Sequence, residues 1–258
     1  MTEHISATRD GPRLSLVMNR PDRRNAITVA MYAALADAIE SAADDDSVRV
    51  ITLEGAGEDF TAGNDLADFL KEMPAPGEDV DIPVWRLLRG LARNRTPLIA
   101  AVHGNAVGIG TTMLFHCDLV VAEEGTRFLM PFTSLGLVPE AASSLILPQM
   151  AGRRIAAKYL LLGEPFGVDE AERIGLVSHR APTGGLDAAM DRVVSLLLSR
   201  PTQALRLTQR LLRGSDQREI LERMDLENRH FSERLTSHEV RDAVTAFFAA
   251  RASRQPAT

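Results

Sequence analysis

A chain of 258 residues that is 45% hydrophobic and 25% charged can bury a full core, and its ordinary composition excludes a largely disordered protein. A net charge of −6 argues against general nucleic-acid binding, and a single cysteine excludes an internal disulfide framework. No stretch is apolar over the length of a membrane span, and the opening Met-Thr-Glu-His carries no signal-peptide pattern, so a soluble cytoplasmic protein is the expectation.

Taken in order, Leu14 to Asn19 reads as a strand that stops at Arg20-Pro21. Ile27 to Ala43 is an amphipathic helix with Met31, Leu35, Ala38 and Ile39 on one face and Thr28 able to cap its start. Val48 to Leu53 is a β-branched strand leading to Gly55-Ala-Gly57, and a helix follows from about Leu66 to Met73. Pro74 to Pro83 reads as a loop, Val84 to Asn94 as a helix and Pro97 to Val102 as a buried strand. Leu119 to Ala122 and Arg127 to Met130 are short strands, and a helix is expected to start near Pro139, a residue suited to a first helical position. Helices follow over Ile155 to Leu162 and Val168 to Ile174. The strand–strand–helix rhythm of the first 180 or so residues suggests stacked turns around one shared core. From Leu186 the chain turns helical throughout, in four segments with apolar stripes that need a partner surface.

Two segments carry the chemistry. Phe60-Thr-Ala-Gly-Asn-Asp-Leu66 and His103-Gly-Asn-Ala-Val-Gly-Ile-Gly-Thr-Thr112 each run from a short apolar strand through a small-residue turn into a helix. Gly63 permits a close backbone approach, and Gly108 and Gly110 flank Ile109. The first N–H groups of a helix lack internal partners and lie at its positive end, so two such turns side by side can hold one developing negative oxygen. Glycine turns that merely pack helices on strands would look alike singly; the pair in register favours the oxyanion reading.

Together the two turns resemble the crotonase, or enoyl-CoA hydratase/isomerase, superfamily. Weaker matches lie in Asn19-Arg-Pro-Asp-Arg-Arg-Asn-Ala26, Ala171-Glu-Arg-Ile-Gly-Leu-Val177 and Glu239-Val-Arg-Asp-Ala-Val-Thr-Ala-Phe247. The resemblance implies an α/β fold: a spiral of ββα turns over residues 1–185 holding an acyl-CoA site, then a helical trimerisation region over 186–258, the whole a homotrimer or hexamer. It implies an acyl-CoA substrate, coenzyme A entering as part of that substrate, and no separate cofactor. By position the oxyanion donors are the backbone amides of Asn64 and Ile109. Arg23, Arg24 and Ala26 fall in the loop that holds the nucleotide end of coenzyme A, though a solvated basic loop would read the same. Ala62, Gly63, Asp65, Leu66, Gly108, Gly110, Phe132 and Leu135 are expected against the substrate, although Asp65 also suits a helix cap.

The acid–base groups must name the reaction. Where hydratases of the superfamily carry their two glutamates, this chain has Thr112 and Phe132. Glu140, in Leu137-Val-Pro-Glu-Ala-Ala-Ser-Ser144, sits instead in a segment that resembles the peroxisomal-type Δ3,Δ2-enoyl-CoA isomerases, where this Glu is the base. An acidic residue in a first helical turn is also favoured by the helix dipole alone. An apolar lining from Phe132, Leu135, Leu137 and Val138 would raise its proton affinity. Asp68, Glu123 and Glu124 read as solvated, Asp118 as paired inside the fold, and His103, His116 and Cys117 as structural. Phe247 and Phe248 suit either the end of an acyl tunnel or a core contact. No metal-ligand spacing appears, and the glycines miss the dinucleotide fingerprint. The expectation is 3-enoyl-CoA isomerisation; hydration, or a catalytically weak CoA-binding scaffold, are the alternatives.

Overall fold

The computed structural model describes residues 2–68, 82–214 and 217–252. The helix expected to Met73 is described only as far as Asp68; its remainder, most of the loop before Pro83 and the side chains of Phe247 and Phe248 lie outside the described residues.

Strand β1 (Ile5–Asp10) and strand β2 (Arg13–Met18) form an antiparallel hairpin that turns at Gly11, with Ile5 opposite Met18 and Asp10 opposite Arg13. β1 was not expected. It is an edge strand with a mostly uncovered face, and Ser6, Thr8 and Arg9 give it no apolar signature. Helix α1 (Val29–Ala43) starts where Thr28 accepts the N–H of Met31, and it buries Met31, Leu35 and Ile39 as its spacing requires. Asp68, expected to be solvated, instead accepts the N–H of Val29 and so caps the same helix.

Strands β3 (Val50–Gly55), β4 (Leu98–Val102), β6 (Leu119–Glu123) and β9 (His179–Ala181) continue the sheet in parallel, in the order β1-β2-β3-β4-β6-β9. Each pairs in a register that stacks like residues. Leu16 lies opposite Leu53, Leu53 opposite Ala100, and Ala100 opposite Val120. That row faces the main core, while Val50, Ile99, Ala101 and Val121 face a second apolar layer. With both faces covered, the inner strands read as unbroken apolar runs, which is why the sequence shows them. A second, three-stranded sheet consists of β5 (Asn105–Val107), β7 (Arg127–Leu129) and β8 (Phe166–Gly167).

The connecting helices are α2 (Pro83–Arg93), the one-turn α3 (Ile109–Thr112), α4 (Ser143–Ala151), α5 (Arg153–Leu161) and α6 (Val168–Arg173). The helix expected near Pro139 begins at Ser143, because Ala141 and Ala142 both take left-handed backbone (φ +60° and +56°) and cannot be helical.

Four helices follow: α7 (Leu186–Leu198), α8 (Thr202–Gly214), α9 (Gln217–Leu235) and α10 (His238–Ala252). α7 covers the second apolar layer with Met190, Val193 and Val194. Asp118, expected to be paired, accepts from Arg213 (2.9 Å) and Gln209 (2.8 Å) of α8 and from the N–H of Leu98 (2.8 Å). Met224 and Phe231 of α9 and Val240 of α10 enter the main core, and Phe231 meets Trp85 edge to face at 5.7 Å. α8 leaves Leu207, Leu211 and Leu212 exposed. Among the described residues no helix is long and apolar enough to cross a membrane.

Because Phe231 ties α9 to α2, Phe231→Ala should cost about 3–5 kcal/mol. Urea unfolding should show this as a lower midpoint with an unchanged slope.

Candidate active site

Three chain segments meet where the parallel strands end. Thr61 and Ala106 form a parallel bridge, with Thr61 N–H donating to Asn105 O (3.0 Å) and Val107 N–H to Thr61 O (3.0 Å). Ile27 and Asn64 form another, through Ile27 N–H to Gly63 O (2.8 Å) and Asp65 N–H to Ile27 O (2.9 Å). Gly63 has φ +85°, and a Cβ there would stand 2.6 Å from Val107 O. Only glycine satisfies both demands. Gly110 passes so close to Thr61 that a side chain would run into its methyl group.

Buried Asn25 fixes the loop between β2 and α1. Its amide donates to Ala56 O and Asp59 O (both 2.7 Å), and its oxygen accepts from Arg20 N–H (2.9 Å). Ala62 N–H then reaches Arg24 O (2.8 Å), and Arg20 pairs with Asp65 at 2.7 Å while bonding Ala26 O. Arg24, Ala26, Ala62, Gly63, Asp65 and Leu66 are thus gathered around Asn64. Asp65 is both the ion-pair partner and a helix cap, since its other oxygen accepts Asp68 N–H (3.3 Å). Arg24 is largely exposed and paired with Asp59 (2.7 Å); Arg23 is exposed and lies 3.6 Å from Asp22.

On these strand ends, Asn64 and Ile109 keep N–H groups that no carbonyl among the described residues accepts from. For Asn64 the bridge uses the neighbouring Gly63 O and Asp65 N–H, so its own N–H points away from Ile27. Ile109 is the first residue of α3, after Gly108 at φ +57°, and its N–H has no carbonyl one turn back. The Asn64 side chain is held separately by the buried Tyr32 hydroxyl.

Glu140 lies at the edge of this arrangement, 3% exposed, and accepts the hydroxyl proton of Thr112, one turn beyond Ile109. Burial pushes its carboxyl from an ordinary 4.5 up to about 8; the Thr112 bond lowers it in part, and the charge of Glu227 raises it further. Tyr32 is likewise raised, by burial and then by the Glu140 charge. Phe132 and Leu137 are buried beside this segment, with Leu135 and Val138 packed on the same core. His116 donates from Nε2 to Ala141 O (2.8 Å), and burial brings it down to about 4, so it is a neutral structural imidazole, as expected. Burial pushes the Cys117 thiol up to about 12, which leaves it inert.

Two residues here were not singled out from sequence. Tyr32 shares the apolar face of α1 with Met31 and Leu35, and an aromatic there reads as core. Glu227 stands between Met224 and Phe231 on the buried side of α9; a glutamate on a core stripe was the available signal. Among the described residues no cluster of His, Cys, Asp and Glu could hold a metal ion.

A profile of the enoyl-CoA hydratase/isomerase family matches residues 14–254. The 2,3-dehydroadipyl-CoA hydratase of Escherichia coli is 36% identical over 204 residues, covering 76% of this chain and 79% of that one. Enoyl-CoA delta isomerase 2 of Rattus norvegicus is 32% identical over 219 residues, covering 84% of this chain and 56% of that one. The crystal structure of an enoyl-CoA hydratase/isomerase from Pseudoalteromonas atlantica T6c superposes with a TM-score of 0.90 at 38% identity, over 99% of this chain and 100% of that one.

Two outcomes follow from the geometry. Gly63→Ala should lose about 1–3 kcal/mol of stability through overpacking and positive φ, read as a lower melting temperature. Since the Glu140 carboxyl is raised from 4.5 to about 8, the folded state keeps a proton that the unfolded chain releases. Its stabilising share is full below pH 4.5 and disappears as pH rises through 8. Glu140→Gln should therefore gain in melting temperature relative to wild type between pH 5 and pH 9; a difference independent of pH would contradict this.

Proposed function

The chain belongs to the enoyl-CoA hydratase/isomerase family, and from that premise we propose that it converts a 3-enoyl-CoA into the trans-2-enoyl-CoA with Glu140 as the proton carrier. The observation that carries this reading is the buried Glu140 carboxyl, bonded to Thr112 beside Ile109 and raised toward the working range. A second buried carboxyl, Glu227, is engaged by backbone: its oxygens accept the N–H groups of Ala142 (2.6 Å) and Ser144 (2.9 Å).

In this reaction the Glu140 carboxylate takes a proton from C2 of the thioester. The electron pair of that C–H bond spreads over C2 to C4 and the thioester oxygen as a dienolate. The N–H groups of Asn64 and Ile109 hold the oxygen's charge without rearranging, and losing one such donor costs about 3–4 kcal/mol. The protonated Glu140 then returns the proton to C4, leaving the double bond between C2 and C3. No water takes part, so the lining of Phe132 and Leu137 favours the chemistry by excluding it. A carboxyl that titrates near 8 suits both halves of the cycle, because it must accept and then surrender the same proton.

Hydration needs a second carboxyl to deliver or direct the water, and Thr112 and Phe132 stand where hydratases carry theirs. In this reading the exposed Arg23 and Arg24 meet the phosphates of coenzyme A, and Ala26, Ala62 and Gly63 line the substrate. The uncovered leucines of α8 fit a homotrimer or hexamer, and the protein is read as cytoplasmic.

The test is the ultraviolet absorbance of the conjugated thioester formed from trans-3-hexenoyl-CoA. Wild type should raise it, faster as pH climbs through about 8 because the carboxylate is the active form. Glu140→Gln should slow it about 10²–10⁴-fold. A flat trace with wild type would overturn the isomerase reading for this substrate class.

A further inference from the structure

Glu140 is followed by Ala141 and Ala142, both with left-handed backbone at φ +60° and +56°. Alanine disfavours that region, and two in succession persist only where the surroundings hold them. Three bonds do so. Glu227 Oε2 accepts Ala142 N–H (2.6 Å), its Oε1 accepts Ser144 N–H (2.9 Å), and His116 donates to Ala141 O (2.8 Å). Both amides belong to the turn that enters α4, whereas Glu227 comes from α9, 83 to 85 residues further along the chain.

We infer that Glu227 is a positioning residue: its carboxylate clamps the strained Ala141–Ala142 turn and so sets the Glu140 carboxyl against Thr112. The inference rests on Glu140 being the proton carrier. It also has an electrostatic side. The groups facing this pair are Tyr32 of α1, neutral His116, Thr112 of α3, and Arg223 of α9, which bonds the Ser144 hydroxyl at 3.2 Å. Burial raises Glu227, while its two amide donors and Arg223 pull it back. The two N–H groups that meet its oxygens suit Glu227 to carry the negative charge of the pair, and that charge raises Glu140 further. A helix of the C-terminal region therefore tunes a base carried by the core.

The test compares Glu227→Gln and Glu227→Asp with wild type by thermal melting, by turnover of trans-3-hexenoyl-CoA across pH, and by 13C NMR titration of glutamate carboxyls, with Glu140→Gln identifying the Glu140 signal. Glu227→Gln should lower kcat roughly 10–100-fold through misplacement of the base, and should move both the rising limb of the pH profile and the Glu140 titration to lower pH. Glu227→Asp keeps the charge but is too short for both amides, so it should lower kcat and leave the titration near wild type; it decides the matter if the Gln variant does not fold. A folded Gln variant, or failing that a folded Asp variant, with only a lower melting temperature and kcat within about twofold of wild type would overturn the inference. Because the NMR titration needs no turnover, a wild type that fails to isomerise would remove the proposed reaction while the Gln variant's titration still decides the clamp.

Discussion

The site depends on two single parallel bridges, Thr61 with Ala106 and Ile27 with Asn64, which tie three loop starts together where the sheet ends. Each bridge uses the N–H and C=O groups on either side of one residue and leaves that residue's own N–H free. The free amide of Asn64 is therefore a by-product of how the segments pair, and that of Ile109 follows from its place as the first residue of α3; neither depends on a side chain. Glycine is required at 63 because the Val107 carbonyl comes too close for a Cβ, and at 110 because the Thr61 methyl group does. Stacking strands in register then makes the arrangement rigid, since shifting one segment would unpair the next.

Against that fixed frame the chain places two buried carboxyls with opposite surroundings. Glu140 has one hydroxyl donor and apolar neighbours, so burial governs it and the neutral acid is favoured. Burial raises Glu227 as well, but two amide donors and a nearby arginine offset part of that rise. Environments that differ in this way suit two like groups to different tasks, and Glu227 already accepts two backbone amides of the turn after Glu140.

The C-terminal helices have two duties. α7 seals the second face of the sheet, and α9 inserts Met224 and Phe231 into the main core while presenting Glu227 to the turn after Glu140. α8 by contrast keeps Leu207, Leu211 and Leu212 in contact with solvent. A helix carrying that much uncovered apolar surface is suited to a neighbouring subunit.

The sequence by itself determined the strands buried on both faces, the caps and stripes of the longer helices, the two glycine turns and the candidacy of Glu140. These are local patterns, written in residue spacing, backbone permission and a short segment. It did not reveal β1, whose polar edge lacks a pattern, nor the delayed start of α4, because two alanines carry no sign that they will be left-handed. It gave Asp68 no cap and left Tyr32 and Glu227 outside the site. Only the tertiary structure decided those, since each depends on a partner far along the chain. Asp68 meets Val29, Tyr32 meets Asn64, and Glu227 meets Ala142. The proton affinity of Glu140 belongs with them, because desolvation is a property of everything packed around a group and not of the residues beside it in sequence.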